Sequence, residues 1–168
     1  MATTLKPVIG TPVDFTVTAL NSLASDTNLL AGWSSEVVNN ESVLAIDEIV
    51  SGKFFAGTSP TVSKIIELWA WSVTKPGGSP VYPDAITGSA GAISITSRNV
   101  LFSGAFARLG TVTIDGTSNR EYPFSFSVAQ AFGFMPARWG CWAVHNNGVA
   151  LKSSGNLVTH TPIQFTNV

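Results

Sequence analysis

The chain has little charge and almost no cysteine, and both shortages limit what it can do. Only 11% of its 168 residues are Asp, Glu, Lys or Arg, and the formal net charge is −1. The nine basic residues are scattered without the clustering that a phosphate-binding stripe needs, so we expect no nucleic-acid partner. Cys141 is the single cysteine, which excludes an intrachain disulfide and a cysteine-rich zinc site. It lies in the apolar run WGCWAV, where we expect a buried, unreactive thiol.

Long apolar runs and targeting segments are missing as well. No window reaches the roughly 18 uninterrupted apolar residues that a membrane-spanning helix requires. The first twelve residues, MATTLKPVIGTP, lack the charged region followed by an apolar core that defines a signal peptide. We therefore expect a soluble protein that is made in the cytosol and does not enter a membrane.

Side chains suited to catalysis are scarce. There are two histidines; we interpret His145 as a hydrogen-bonded histidine at a strand edge and His160 as solvent-facing. No short spacing of ligand residues supports a zinc site. Asp47 and Glu48 are adjacent, so on a strand they point to opposite faces and cannot act as a glycosidase pair. With no nucleophile elbow, P-loop or dinucleotide fingerprint, the sequence predicts no catalytic residues, no metal and no cofactor.

What the chain does contain is an apolar stretch of β type, KIIELWAWSVT, at residues 64–74. Turn-forming residues at 58–60 and 75–78 bound it and favour a strand over a helix. Its alternation places Trp69 and Trp71 on one face and small aliphatic residues on the other. A strand that is apolar on both faces lies inside a sheet, with a second layer or a partner chain over its outer face. We interpret Trp69 and Trp71 as a candidate aromatic contact surface, although core or subunit contact is the better interpretation for the five tryptophans than a sugar-binding floor.

The remaining sequence predicts roughly nine short strands with turn signals every 8–12 residues, the pattern of a sandwich or jelly roll. Residues 12–20 form the clearest half-buried strand pattern, with Val13, Phe15 and Val17 alternating with polar residues. Asp115-Gly116 and Asn146-Asn147-Gly148 read as hairpin turns. The fold class predicted is all-β, a single antiparallel, jelly-roll-like β-sandwich.

A long strand is predicted over residues 42–56. Its even positions are expected to face the core, and they comprise Leu44, Ile46, Val50 and Phe54. Glu48 interrupts that apolar face, and Gly52 indicates a β-bulge.

The domain organisation predicted is an extended N-terminal arm at residues 1–12 followed by one β-sandwich domain at residues 13–168. Proline and glycine in the arm argue against a helix or an interior strand. We expect the arm to attach the protein to a partner by burying three apolar side chains, those of Leu5, Val8 and Ile9.

Three stretches together resemble small virion structural proteins of tailed bacteriophages. They are SGKFFAGTSPTVSKIIELWAWS, YPDAITGS and EYPFSFSVAQAFGFMPARWGCWAVHNNGVAL. The resemblance covers residues 28–168, rests on the order and spacing of these stretches, and supplies no functional residues. It implies a β-sandwich attached to the particle as a capsid decoration (cement) protein or a tail component.

From the resemblance and the composition together, we expect a non-enzymatic decoration protein on the capsid exterior of the virion. Its partners would be the major capsid protein and two further copies of itself in a homotrimer. A tail-associated or receptor-binding carbohydrate-recognition module is the alternative, and a small hydrolase is a more distant one.

Overall fold

A computed structural model describes residues 4–75 and 78–167. Almost all of its regular structure is β, with one 3₁₀ helix at Arg98–Phe102 and one short helix, α1, at Val128–Phe132. The strands are β1 (Leu5–Ile9), β2 (Val13–Asp14), β3 (Ala31–Ser34), β4 (Val38–Asn39), β5 (Asp47–Phe55), β6 (Ile65–Ser72), β7 (Gly91–Ser94), β8 (Phe106–Thr113), β9 (Glu121–Ser127), β10 (Arg138–His145) and β11 (Leu157–Asn167).

The strands form two antiparallel sheets that pack together. One sheet has the order β1-β11-β5-β9, with β2 also beside β11. The other has the order β7-β3-β10-β6-β8, with β4 also beside β10. If β1/β2 and β3/β4 are each counted as one interrupted strand and β7 is set aside, the eight remaining strands follow the jelly-roll order. The predicted all-β antiparallel sandwich is therefore confirmed.

The β6 strand lies where the sequence predicts an apolar strand, between β10 and β8. Its small aliphatic residues Ile66, Leu68 and Ala70 belong to the core between the sheets. Trp69 and Trp71 point the other way, into a second apolar cluster that also contains Ile86, Leu101 and Phe106. The outer layer that covers the tryptophans is thus the chain's own connection between β6 and β8, with no second chain needed to cover them.

The predicted strand over residues 42–56 begins later than expected, at Asp47. Val50 and Phe54 are buried as predicted, whereas Leu44 is 73% exposed and Ile46 is 43% exposed. The reason is Asn40, whose side chain accepts a hydrogen bond from Ala45 N at 2.7 Å and donates one to Ala45 O at 3.1 Å. These two bonds hold the backbone before β5 in a loop.

The predicted strand over residues 12–20 is reduced to the two residues of β2. Phe15 is buried as its alternation predicts. Beyond it the chain turns, because the backbone N–H groups of Leu20 and Asn21 both donate to the carbonyl oxygen of Val17, each at 3.0 Å. A hydrogen-bonded turn after Val17 therefore replaces the second half of the predicted strand.

The bulge expected at Gly52 is not there. Gly52 pairs in regular register with Val158 on one side and Phe124 on the other. A Cβ at this position would lie 2.0 Å from the carbonyl oxygen of Leu157, so glycine is required by the close approach of β11. The register shift in the β6–β8 pair falls instead between Leu68 and Trp69.

Neither predicted hairpin turn joins paired strands. Asp115-Gly116 lies between β8 and β9, and Asn146-Asn147-Gly148 lies between β10 and β11; in both cases the two strands belong to different sheets. Side chains hold these crossovers. Asp115 Oδ1 accepts a hydrogen bond from the Tyr122 hydroxyl at 2.6 Å, and Asn146 Oδ1 accepts one from Ile65 N at 3.0 Å. A turn signal marks a chain reversal but does not say which strands pair across it.

Candidate interaction surface

The three predicted attachment residues, Leu5, Val8 and Ile9, all lie in strand β1. Residues 5–9 of the predicted extended arm thus form an ordered strand at the edge of a sheet, which the expected absence of a helix or interior strand allows, while residues 1–3 lie outside the described residues. β1 pairs with β11 along its whole length, and all five of its residues are exposed. The segment is an edge strand, ordered by backbone pairing rather than by burial of its side chains.

A proline is accommodated in β1 because of the direction in which its backbone faces. Gly10 N donates to Pro162 O at 2.7 Å, and backbone groups alternate along an antiparallel strand. The N–H groups of Lys6 and Val8 therefore face β11, while Pro7, which has no N–H, faces the open edge. Proline at that position removes no hydrogen bond between β1 and β11, and it limits the pairing of a further strand with the open edge of β1.

The apolar side chains of β1 continue onto neighbouring segments. Ile9 pairs with Ile163 and Pro7 pairs with Phe165, so these residues share one face. The loop before β5 adjoins the same end of β11, since Ile46 N donates to Ile163 O at 2.8 Å. We define the β1 patch as the exposed apolar residues of this region, namely Leu5, Val8, Ile9, Leu44, Ile46 and Phe165. Val8, which pairs with Gln164, lies on the opposite face of the strand from Leu5, Ile9 and Phe165, so the patch wraps around the sheet edge.

Sequence reasoning found half of this patch. The alternation of β5 assigns Leu44 and Ile46 to the core, and no local pattern singles out Phe165. Residues 162–166 of β11 are no longer buried, so this end of the strand lies beyond the core. The hydrogen-bonding capacity of Asn40 was the one local signal that the pattern breaks before Asp47.

The candidate aromatic surface at Trp69 and Trp71 is not a surface. Trp69 is 3% exposed and Trp71 is fully buried. The indole N–H of Trp69 donates to Glu67 Oε2 at 3.1 Å, and that of Trp71 donates to Cys141 O at 3.1 Å. The other three tryptophans are fully buried too, so no tryptophan is available to stack against a ligand.

His145 lies inside the protein beside the crossover from β10 to β11. It is fully buried, and its Nε2 donates to Leu23 O at 3.0 Å. Burial lowers the pKa of His145 below its ordinary value, an effect that outweighs the Leu23 bond and the charge of Asp26, which both raise it. A buried neutral imidazole that hydrogen-bonds a carbonyl is a structural group. The expected hydrogen bond is present, but the expected place at an edge is wrong, because β10 lies between β3 and β6 and His145 is fully buried.

His160 is not solvent-facing as the sequence suggests. Its side chain lies between the sheets, 3.1 Å from Glu48 Oε2 through Nδ1, and Glu48 is 1% exposed. The ring of Phe15 lies 4.9 Å from the imidazole and that of Trp139 lies 5.8 Å from it, measured between centroids. The two polar residues that interrupt the apolar faces of β5 and β11 therefore pair with each other.

Other reactive groups are held apart or buried. Within residues 4–75 and 78–167, no three side chains of His, Cys, Asp or Glu lie close enough together to hold a metal ion. Cys141 is buried, and burial raises the pKa of its thiol well above the ordinary value. Among the described residues there is no helix long and apolar enough to span a membrane.

A scan of protein-family models and a search of curated proteins found no match to this chain. The resemblance to phage structural proteins therefore stays a hypothesis.

Proposed function

We propose that the chain is a non-enzymatic virion structural protein, a capsid decoration protein that binds the outer shell of a tailed phage and stabilises it. The observation that carries the proposal is the β1 patch, which presents apolar side chains beyond the end of the sandwich. With 11% charged residues, the protein must attach mainly through buried apolar area. The fold is compatible, since jelly rolls serve as viral capsid and lectin domains, but a fold alone does not assign a function.

The proposed occupant of the β1 patch is the major capsid protein. Full burial of a Leu, Val or Ile side chain contributes about 1.5–3 kcal/mol, so Leu5 and Ile9, which share one face with Phe165, would supply a substantial part of the binding free energy. Ordering a flexible segment on binding costs roughly 1–2 kcal/mol per residue. β1 already pairs with β11 in the free chain, so most of that cost does not oppose binding.

Co-sedimentation with shells tests this proposal. The shells are assembled from the major capsid protein of the encoding phage without this chain. Replacing two residues of the patch, Ile9→Ser with Phe165→Ser, should weaken binding at least about tenfold. The matched control is Val62→Ser with Phe134→Ser, which removes an aliphatic and an aromatic residue of similar exposure, 61% and 59%, outside the patch.

Two results would contradict the proposal. The first is that the unmodified protein does not sediment with the shells. The second is that the control variant loses as much binding as the patch variant, which would indicate a general loss of surface hydrophobicity.

The homotrimer is a separate proposal with weaker grounds than the sequence suggested. One ground was the apolar outer face of β6, and the connection between β6 and β8 covers that face within the chain. The low charge and the exposed β1 patch still favour self-association. Light scattering of the isolated protein should give the mass of three 17.6 kDa chains; the mass of one chain would remove the trimer but not shell binding.

The carbohydrate-recognition alternative, on a tail or as a receptor-binding module, loses the side chains that suggested it. It depended on exposed tryptophans, and all five are buried. The hydrolase alternative would need a general acid and base in an accessible site, whereas His145 is fully buried and Glu48 faces the sandwich core.

A further inference from the structure

A pocket of about 360 Å³ lies over the outer face of β6 and β8, away from the β1 patch. Trp69, Leu101 and Phe106 contribute its buried apolar lining. Phe102, at the end of the 3₁₀ helix, also lines it and is 75% exposed. The rings of Phe102 and Trp69 meet edge to face, with centroids 6.1 Å apart. The pocket therefore presents an accessible aromatic ring beside a buried one.

The register shift in the β6–β8 pair brings an arginine to this pocket. Leu68 pairs with Gly110 but Trp69 pairs with Arg108, so Leu109 is an extra residue in β8. Leu109 packs against the core between the sheets, and Arg108 takes the place opposite Trp69 on the outer face. Bulges commonly re-aim a side chain in this way near functional sites. Without the shift, Leu109 would lie opposite Trp69.

A second arginine, Arg98, is fixed at the pocket by a buried carboxylate. Its guanidinium donates to both carboxylate oxygens of Glu67, at 2.6 and 3.1 Å, and lies 5.9 Å from the centre of the Trp69 ring system. Glu67 is 3% exposed. Burial by itself would raise the pKa of Glu67, but the hydrogen bonds from Arg98 and Trp69 outweigh it and lower the pKa. Glu67 is therefore ionised at neutral pH.

The charges leave the pocket with one net positive charge. Glu67 neutralises one guanidinium, and Arg108 supplies another. Among the described residues, the side-chain partner of Arg108 is the Thr111 hydroxyl, and Arg98 uses three of its five N–H groups, two on Glu67 and one on Leu29 O. Both arginines thus keep N–H groups for a ligand.

The polar side chains that line the pocket can only donate hydrogen bonds. Arg98 and Arg108 have no acceptor atom, and the Trp69 N–H is already bound to Glu67. A neutral sugar, whose hydroxyl groups need acceptors as well as donors, fits poorly. A carboxylate supplies acceptor atoms only and complements the net positive charge. An apolar ring on the same ligand would pack against Phe102.

We infer that this pocket binds a small carboxylate that carries an apolar ring. The inference is independent of shell attachment, which uses the β1 patch. The carboxylate lies between Arg98 and Arg108, and the ring contacts the exposed face of Phe102.

Titration with 4-phenylbutyrate at pH 7, followed by ¹H–¹⁵N NMR, tests the inference. The Trp69 indole N–H should shift saturably, with a dissociation constant on the order of 1 mM. Arg108→Gln should weaken binding about fivefold, the scale of an exposed ion pair, and Phe102→Ala should weaken it similarly. Arg120→Gln, which removes an exposed arginine from the β8–β9 crossover, is the matched control and should leave binding unchanged.

Two further compounds test the contributions of the ring and of the carboxylate separately. The neutral amide 4-phenylbutyramide, which has the ring without the charge, and acetate, which has the charge without the ring, should each bind at least about fivefold more weakly. Equal binding of the amide would overturn the carboxylate assignment. An equal loss in Arg120→Gln, or no saturable shift of Trp69, would show that the pocket is not a binding site.

Discussion

Glu48 and His160 form a buried pair between the two sheets, with His160 Nδ1 3.1 Å from Glu48 Oε2. The pair joins β5 to β11, which are neighbours in one sheet. Each residue interrupts the apolar face of its own strand, and each would be costly to bury alone. Their pairing explains how both strands keep a polar residue on the core side.

Removing one member of this pair should cost more stability than removing both. Glu48→Ala leaves the imidazole without its partner, so the free energy of unfolding should fall by about 3 kcal/mol. Replacing both residues by apolar ones, Glu48→Leu with His160→Phe, should recover most of that loss. Urea denaturation measures both values. Glu121→Gln, at an exposed ion pair with Lys53, is the control and should change stability by less than about 0.5 kcal/mol; a double variant less stable than Glu48→Ala would contradict the prediction.

His145 should take up its proton at a lower pH than free histidine does. Its pKa in the folded protein is lowered by burial, so below the ordinary value of about 6.5 the unfolded chain binds the extra proton. Stability should therefore be fully present above pH 6.5 and should decrease as the pH falls below it. NMR of the imidazole ring protons checks the first point, and thermal unfolding at pH 7.5 and pH 5 checks the second. A His145 titration midpoint at or above 6.5 would refute the assignment.

Glu67 should contribute stability that disappears in acid. Its folded-state pKa is lowered, so its contribution is present above the ordinary carboxyl pKa and is lost as the pH falls through the folded value. At pH 6 we expect Glu67→Gln to lower the free energy of unfolding by about 2 kcal/mol, the scale of hydrogen bonds to a charged group. Urea denaturation at pH 6, 4 and 3 should show the difference from the unmodified protein shrinking. A difference that is the same at all three values would mean that the charge of Glu67 does not matter.

Removing β1 should expose the neighbouring strand β11 to solvent but lower the stability of the whole protein only slightly. Its side chains are exposed and its hold on the sheet is backbone pairing with β11, so deleting residues 2–10 should lower the thermal midpoint by only about 2–4 °C. The amide of Gln164, which pairs with Val8, should exchange with solvent much faster. Deleting residues 2–4 alone keeps β1 and serves as the control. Loss of folding in the longer deletion would show that β1 is part of the stabilising core.

The strand at residues 65–72 was predictable because its two-residue alternation and its bounding turns are local properties. The same local reasoning misplaced Leu44 and Ile46, because alternation does not show where a strand extends past its neighbouring layer. It also read Asp115-Gly116 as a hairpin, although the turn crosses between sheets. Of the β1 patch it found the three residues of β1, which lie within one five-residue segment, and missed Phe165, which reaches that segment only through strand pairing.

The pocket over β6 and β8 was outside the reach of sequence reasoning for a related reason. Arg98 and Arg108 are ten positions apart with no shared pattern, and Arg108 reaches the outer face only through the register shift at Leu68 and Trp69. A shift of one residue reverses which face a side chain occupies, and no local feature of residues 106–113 specifies it. It depends on how β8 packs against its neighbours.

The sequence by itself determined the β class, the alternation within each strand and the shortage of catalytic groups, because these follow from composition and from nearest neighbours along the chain. Only the tertiary structure decided which face of each strand is buried and which segment of the chain covers it. It buried Trp69 and Trp71 under a connection of the same chain and paired His160 with Glu48, 112 residues apart. Burial depends on contacts between distant segments, and those contacts are set by the packing of the whole sandwich.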